Sequence, residues 1–177
     1  MPSLLKIEKH NPVMLTEALK YLTIKENGIY LDCTLGSGGH SQALMKNYPK
    51  VKLLIAFDQD QEAIKRCQQN SFFANKEIVF INDNFVNFSQ HLTKLNISEV
   101  DGFLFDLGLS SNQLEAENRG FSYKKKLDSP LDMRMNLENK LTAEEVINHY
   151  PEKRLANIFF CYGEERKNRR IASKIVY

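Results

Sequence analysis

Three glycines and an acid have the types and spacing of a nucleoside-binding site. Gly36, Gly38 and Gly39 lie in LGSGGHS, directly after the apolar run IYLDCT, and Asp58 follows Gly36 by 22 residues. Glycine permits positive φ and close approach to the main chain, and the next helix would offer free N–H groups. An acid about 20 residues past such a loop is placed to bind ribose hydroxyls. The pattern predicts a dinucleotide or S-adenosylmethionine as ligand, with a structural glycine turn as the alternative.

Asp32 favours S-adenosylmethionine over a dinucleotide. This acid lies just before the glycine loop, where it can receive the cationic amino group of the donor's methionine end but would repel a pyrophosphate. The P-loop pattern GxxxxGK[ST] is absent from the chain. A solvent-exposed acid at the end of a strand remains the alternative for Asp32.

Alternating strand-like and helix-like segments surround these residues. The predicted strands are residues 29–34, 51–58, 77–82 and 101–108, and the predicted helices between them are 41–48, 60–70 and 86–95. Near-continuous apolar strands joined by helices indicate a parallel sheet covered on both faces. The carboxyl ends of such strands meet at one edge, so we expect Asp32, Asp58, residues 82–85 and Asp106 to gather there.

The second part of the chain differs in charge and in pattern. Residues 1–118 hold 11 Lys and Arg against 14 Asp and Glu, whereas residues 119–177 hold 13 against 8. After a polar, turn-rich stretch, helices are predicted over residues 141–150 and 152–176, the first with capping-box spacing. The positive balance indicates a polyanionic partner, with a solvated helical surface as the alternative.

Cysteine usage and hydropathy set the expected environment. Cys33, Cys67 and Cys161 are odd in number and far apart, and no CxxC pair occurs. Neither a disulfide framework nor a metal site is therefore expected. No apolar run approaches the roughly 18–20 residues of a membrane helix, and the first residues lack the apolar core of a signal peptide. We expect a soluble cytoplasmic protein without a membrane partner; its oligomeric state is not predicted.

Six segments together resemble the bacterial small-subunit ribosomal RNA cytosine-N4 methyltransferases. In order they are HNPVMLTEAL (10–19), DCTLGSGGHS (32–41), AFDQD (56–60), DLGLSSNQLEAENRGFSY (106–123), SPLDMRMN (129–136) and YGEERKNRRIASKIV (162–176). The resemblance runs over nearly the whole chain, from residue 10 to residue 176. RGFSY and SPLDMRMN are much more specific than a glycine loop.

The resemblance implies a Rossmann-like, S-adenosylmethionine-dependent methyltransferase of the α/β class with an inserted, mostly helical domain. Residues 1–113 would form the N-terminal part of the methyltransferase domain, and residues 114–177 the beginning of the inserted substrate-recognition domain. Family members continue past the position of Tyr177, so both domains are expected to be incomplete. The implied reaction is methyl transfer from S-adenosylmethionine to the exocyclic N4 of a cytidine in the decoding region of 16S ribosomal RNA. The small ribosomal subunit is then the expected partner.

Matching positions imply the site residues. The donor would contact Gly38, Gly39, His40, Asp58, Phe85, Asp106 and Gln113. Asp106 is the expected catalytic residue, because a carboxylate there can accept a hydrogen bond from the amine and orient its lone pair. The sulfonium is already an excellent leaving group, so no covalent nucleophile is expected. Each of three residues also has a structural alternative: Phe85 as an aromatic residue of the core, His40 as a helix cap, and Asp106 as an acid in a turn.

Basic and aromatic residues are interleaved in the second part, which suits an RNA backbone and unstacked bases. They are Arg119, Phe121, Tyr123, Lys124, Lys125, Lys126, Arg134, Arg166, Lys167, Arg169 and Arg170. A buried pairing role for Arg134 and a solvated helix face for ERKNRR are the alternatives. Two other functions remain open from the sequence. One is a truncated, non-catalytic RNA-binding remnant, and the other is an NAD-dependent oxidoreductase, which only the glycine loop and Asp58 support.

Overall fold

A four-stranded parallel sheet forms the centre of the first part of the molecule. A computed structural model describes residues 12–123 and 129–177, which divide into two compact units between Ser111 and Asn112. The strands are β1 (Ile29–Asp32), β2 (Leu53–Asp58), β3 (Ile78–Asn82) and β4 (Gly102–Leu104). They lie in the order β3-β2-β1-β4, and every neighbouring pair is parallel. The predicted parallel α/β sheet is confirmed, and its order is that of a Rossmann half-sheet with the next strand added.

Helices connect these strands. The connecting helices are α2 (Gly39–Asn47), α3 (Gln61–Gln69) and α4 (Phe88–Lys94), with 3-10 turns at Ser71–Phe73 and Phe85–Asn87, and α1 (Leu15–Tyr21) precedes β1. The predicted cap of α3 is confirmed, because the Asp60 carboxylate accepts a hydrogen bond from the Glu62 N–H at 3.0 Å. The sequence patterns do not predict α1, whose N-cap residue Met14 has φ 49° and makes no side-chain cap.

Burial on both faces explains why the strands read as continuous apolar runs. Alternate residues of a strand point to opposite faces. Tyr30 and Leu54 belong to one hydrophobic cluster of this unit, whereas Leu31, Ile55 and Phe57 belong to another. All five side chains are fully buried. The interior strands β1 and β2 therefore have no polar face, and their polar residues are confined to the strand ends.

Short helices and the loop segments 116–123 and 129–142 make up the described part of the second unit. Its helices are α5 (Ser111–Glu115, which begins at the boundary), α6 (Ala143–His149), α7 (Glu152–Gly163) and α8 (Asn168–Val176). The predicted capping box is confirmed, since Thr142 caps α6 and the Glu145 side chain bonds back to the Thr142 N–H. The single helix predicted over residues 152–176 is wrong. Glu164 adopts a left-handed conformation with φ 52° and separates α7 from α8.

Two arginines of the basic segment hold this unit together. Arg119 is 2% exposed, and its Nη2 donates to the carbonyls of Arg134 and Met135 at 2.9 and 2.8 Å. The Arg134 side chain forms a fork with the Asp132 carboxylate, at 2.7 Å from Nη2, and donates to the carbonyls of Leu137 and Asn139. The prediction that Arg119 faces RNA is therefore wrong, because its guanidinium is used inside the unit. For Arg134 the structure supports the pairing alternative.

The SPLDMRMN segment is folded around these arginines. The Met133 N–H donates to the Arg119 carbonyl at 2.9 Å, and the Glu144 N–H at the start of α6 donates to the Leu131 carbonyl at 2.7 Å. Gly120 has φ 71°, and a side chain there would meet the Pro130 carbonyl. Lys124, Lys125 and Lys126 lie outside the described residues. The functional domain division after residue 113 remains a prediction. Within residues 12–123 and 129–177, no helix is long and apolar enough to cross a membrane.

Replacing Arg134 with Ala is expected to destabilise the second unit, because the change removes the cation that pairs with the Asp132 carboxylate and the donor to the carbonyls of Leu137 and Asn139. Amide hydrogen exchange across residues 129–150 measures the effect. Arg169→Ala is the control, since Arg169 is exposed, and it should change stability by no more than about 0.5 kcal/mol. Equal protection in the two variants would contradict the structural role of Arg134.

Candidate functional site

The glycine loop is tied to the end of β2 by the Asp58 carboxylate. Asp58 Oδ2 accepts a hydrogen bond from the Gly36 N–H at 2.7 Å, and Oδ1 accepts one from the Asp60 N–H at 2.8 Å. Asn82, at the end of β3, donates to the Asp58 carbonyl at 2.9 Å. The polar ends of three neighbouring strands and the loop therefore form one connected edge, as the parallel topology predicts.

Asp58 keeps hydrogen-bonding capacity beyond this role. An ionised carboxylate has about four lone-pair sites, and the two main-chain hydrogen bonds use two of them. Desolvation by burial raises the pKa of Asp58, while hydrogen bonds from Asp60 and Gly36 and the positive charge of Arg66 act in the opposite direction. The half-buried carboxylate can accept further hydrogen bonds from ligand hydroxyls.

Asp32 is buried beneath the loop. It is 2% exposed; Oδ2 accepts a hydrogen bond from Ser41 Oγ at 2.6 Å, and Oδ1 accepts one from the Thr34 N–H at 3.1 Å. Burial raises the pKa of Asp32, and the hydrogen bonds from Ser41 and Thr34 oppose that shift. The alternative of a solvent-exposed acid is thus wrong. Asp32 connects β1 to the loop and to the first turn of α2.

Two of the loop glycines are required by packing inside the protein. Gly38 has φ 78°, and a Cβ there would lie 2.9 Å from Cys67 Sγ and 3.3 Å from the Phe73 ring. A Cβ on Gly39 would collide with Pro12. Gly36 differs, because it has φ 53° while a Cβ there would meet nothing closer than 3.9 Å. The open space above the loop is therefore at Gly36, beside the Asp58 carboxylate.

The start of α2 suits a negatively charged group. Gly38 is its N-cap and provides no side-chain cap, and no acidic residue lies in the first turn. Free N–H groups and the positive end of the helix dipole both favour an anion such as a carboxylate. This observation, the open position at Gly36 and the half-buried Asp58 are the features that a nucleoside ligand carrying an amino-acid end requires.

His40 lies between the N-terminal segment and the residues that follow β4. It is 8% exposed. Its Nε2 is 3.0 Å from the Val13 carbonyl, and its Nδ1 is 3.7 Å from Asp106 Oδ2. The Asp106 side chain is 47% exposed, and its backbone N–H donates to Thr34 Oγ1 at 2.7 Å. The structure brings His40 and Asp106 together and leaves the Asp106 carboxylate open to a substrate.

Phe85 and Gln113 occupy different settings. Phe85 is partly buried and makes an edge contact with Phe105 at a ring distance of 5.3 Å. Phe105 itself is 51% exposed. Gln113 is buried in α5 of the second unit. The sequence patterns do not identify Thr34, whose hydroxyl accepts the hydrogen bond from the Asp106 N–H after β4. Its position two residues after Asp32 at the end of β1 is the only sequence feature that could have indicated this role.

The cysteines beside the loop are unreactive by position. Burial raises the pKa of Cys33 to about 12 and that of Cys67 to about 11. All three cysteines of the chain are free. In the part of the chain that the structure describes, no group of three or more His, Cys, Asp or Glu could hold a metal ion. The thiols contribute packing against the loop.

Comparison with known proteins decides the family. Residues 7–177 match the MraW methylase family. The chain belongs to the MraW methylase family. The resemblance of the six sequence segments to small-subunit ribosomal RNA methyltransferases is therefore confirmed at the level of the family.

Curated relatives of this MraW family member carry the name "Ribosomal RNA small subunit methyltransferase H". The protein of Mycoplasma mycoides is 46% identical over 170 residues, which are 96% of this chain and 54% of the relative. The protein of Streptococcus pyogenes is 48% identical over 168 residues, 94% of this chain and 52% of the relative. The chain spans about half the length of the curated relatives it matches.

A solved structure of a putative rRNA-methylase from Clostridium thermocellum is 21% identical to this MraW family member, with a TM-score of 0.47. The matched region covers 54% of this chain and 52% of the Clostridium thermocellum chain. A likeness at this level bears on neither the function nor the site.

Substituting Gly38 with Ala should lower the free energy of unfolding of the first unit by about 2–4 kcal/mol, because the left-handed backbone and the contact with Cys67 both penalise a Cβ. Gly163→Ala serves as the control, since a Cβ there meets nothing within 4 Å. Urea unfolding with amide exchange in the β1–β2 segments gives both values. A Gly38→Ala protein as stable as Gly163→Ala would contradict the packing argument.

Asp32 should make stability fall as pH rises. Its folded pKa is raised above the ordinary value of 3.8, so its contribution is fully present below that value and is lost as pH rises through the folded pKa. Asp32→Asn cannot titrate. The unfolding free energy of the native protein minus that of Asp32→Asn should therefore decrease as pH rises above about 4. Urea titrations across this range test the slope, with Glu99→Gln, an exposed acid, as control. A difference that is flat or rises with pH would refute the burial effect.

Proposed function

We propose that the protein binds S-adenosylmethionine and methylates the exocyclic N4 of a cytidine in the decoding region of 16S ribosomal RNA. Membership of the MraW methylase family supports methyl transfer, and the names of the curated relatives support ribosomal RNA as the substrate. The observation that carries the proposal is the open Gly36 position beside the half-buried Asp58 carboxylate. The proposed substrate places the protein in the cytoplasm.

The donor would be held by the loop and the strand ends. Asp58 would accept hydrogen bonds from the ribose hydroxyls, and the first turn of α2, from Gly38 to His40, would meet the carboxylate. Phe85 would pack against the adenine. The resemblance also implies Gln113 as a donor contact. Asp32 would act from beneath the loop by fixing its shape. The donor supplies a methyl group activated by its sulfonium.

Asp106 is proposed as the catalytic residue. The N4 lone pair is delocalised into the cytosine ring, so the amine is a weak nucleophile. The bond from the methyl carbon to N4 forms as its bond to sulfur breaks, and the amine must lose one proton. The Asp106 carboxylate, half-exposed beside His40, would accept a hydrogen bond from the amine and then that proton.

Methyl transfer from radiolabelled S-adenosylmethionine to small-subunit ribosomal RNA tests this function. After nuclease digestion, the label is expected in N4-methylcytidine. Asp106→Asn should lower the rate by about 100-fold or more, because the acceptor for the amine proton is removed. Glu99→Gln removes the same charge before β4 and should leave the rate unchanged. Label in a different nucleoside would refute the proposed reaction, and near-normal turnover by Asp106→Asn would refute the role of Asp106.

A further inference from the structure

One helix face of the second unit carries several positive charges that no described residue of the unit pairs with. Lys167, the N-cap residue of α8, and Arg170 and Lys174 within the helix lie on one side of it and are exposed. We call them the cationic stripe of α8. Arg166 and Arg169 are also exposed beside it. Among residues 12–123 and 129–177, none of these five side chains makes an ion pair or a side-chain hydrogen bond.

Helix geometry places the stripe opposite the packed side of α8. At 100° per residue, Arg170 and Lys174 lie about 40° apart and on the side opposite Ala172. Ala172 is fully buried in the hydrophobic cluster of this unit with Leu155 and Ala156 of α7. The stripe therefore faces solvent.

The stripe costs stability within α8. Like charges four residues apart, as in Arg170 and Lys174, repel by a few tenths of a kcal/mol. The first turn of a helix favours acidic residues, whereas α8 has none there and instead carries Arg169 and Arg170. Helix formation does not account for this arrangement, but an external anion would.

Three cations elsewhere in the described residues are paired with acids. Lys25 lies 3.4 Å from Asp101, Lys50 lies 2.7 Å from Glu26, and Arg134 forms its fork with Asp132. The segment from Arg166 to Val176 contains no acidic residue at all. Its charge is therefore concentrated and uncompensated, which distinguishes it from an ordinary solvated surface with mixed signs.

We propose that the cationic stripe of α8 binds the phosphate backbone of the RNA substrate. The proposal rests on the proposed function for the choice of RNA as the polyanion. An anionic lipid surface is the competing polyanion, since Ile171, Ile175 and Val176 of α8 are partly exposed. Binding to vesicles distinguishes the two polyanions. Phosphate contacts of this kind position the substrate without reading its sequence.

Salt dependence of RNA binding tests the stripe. Affinity for a fluorescein-labelled RNA hairpin is measured by anisotropy at several salt concentrations. Each phosphate contact contributes about 0.7 to 0.9 to the slope of log affinity against log salt. Arg170→Gln with Lys174→Gln should therefore reduce the magnitude of that slope by about 1.4–1.8.

The matched control is Lys25→Gln with Lys50→Gln, which removes two positive charges from paired lysines of the first unit. Its slope should equal that of the unaltered protein. Equal slopes for the two double variants would overturn the proposal. So would preferential binding to vesicles of phosphatidylcholine and phosphatidylserine with no binding to the hairpin. Absence of S-adenosylmethionine binding would instead refute the proposed function, while a slope change confined to the α8 variant would still locate the RNA contact.

Discussion

The carboxylates at the ends of β1 and β2 hold the glycine loop, and the rest of the site depends on that loop. Asp32 and Asp58 are close enough for the charge of Asp58 to raise the pKa of Asp32, and both lose hydration by burial. Hydrogen bonds from the loop, from Ser41 and from the Asp60 N–H offset this cost. The loop backbone is thereby fixed before any ligand binds, and little ordering remains to oppose binding.

The loop glycines serve two purposes, internal packing and an open position for a ligand. Gly38 and Gly39 lack side chains because Cys67, Phe73 and Pro12 occupy the space that a Cβ needs. At Gly36, by contrast, the space that a side chain would take is open. The same loop positions His40 at the head of α2, where it reaches both Val13 and Asp106. Residues from four separate segments thus meet at the carboxyl edge of the sheet, which is where parallel α/β sheets bind ligands.

Local patterns were sufficient to predict the sheet, the strand-end acids, the cap at Asp60 and the capping box at Thr142. Each of these depends on residues that are near one another in sequence. Tertiary contacts decided the rest. Gly163 directly precedes the break, but the residue that adopts the left-handed conformation is Glu164 itself, so the local pattern does not place the break there. A buried role for Arg119 depends on carbonyls 15 and 16 residues away. The residues that pack against Gly38 and Gly39 come from α3, the following 3-10 turn and the N-terminal segment. The glycine motif does not show these contacts, so from the motif alone both glycines are explained only by ligand binding.

Calorimetric titration of the 177-residue chain with S-adenosylmethionine tests the central claim, that the carboxyl edge of this sheet is a methyl-donor site. Asp58→Ala, checked for folding by circular dichroism, is titrated beside it. The account predicts saturable binding that the substitution abolishes or weakens strongly. A folded chain that does not bind the donor, that binds it equally well without Asp58, or that binds NAD in its place would contradict the account.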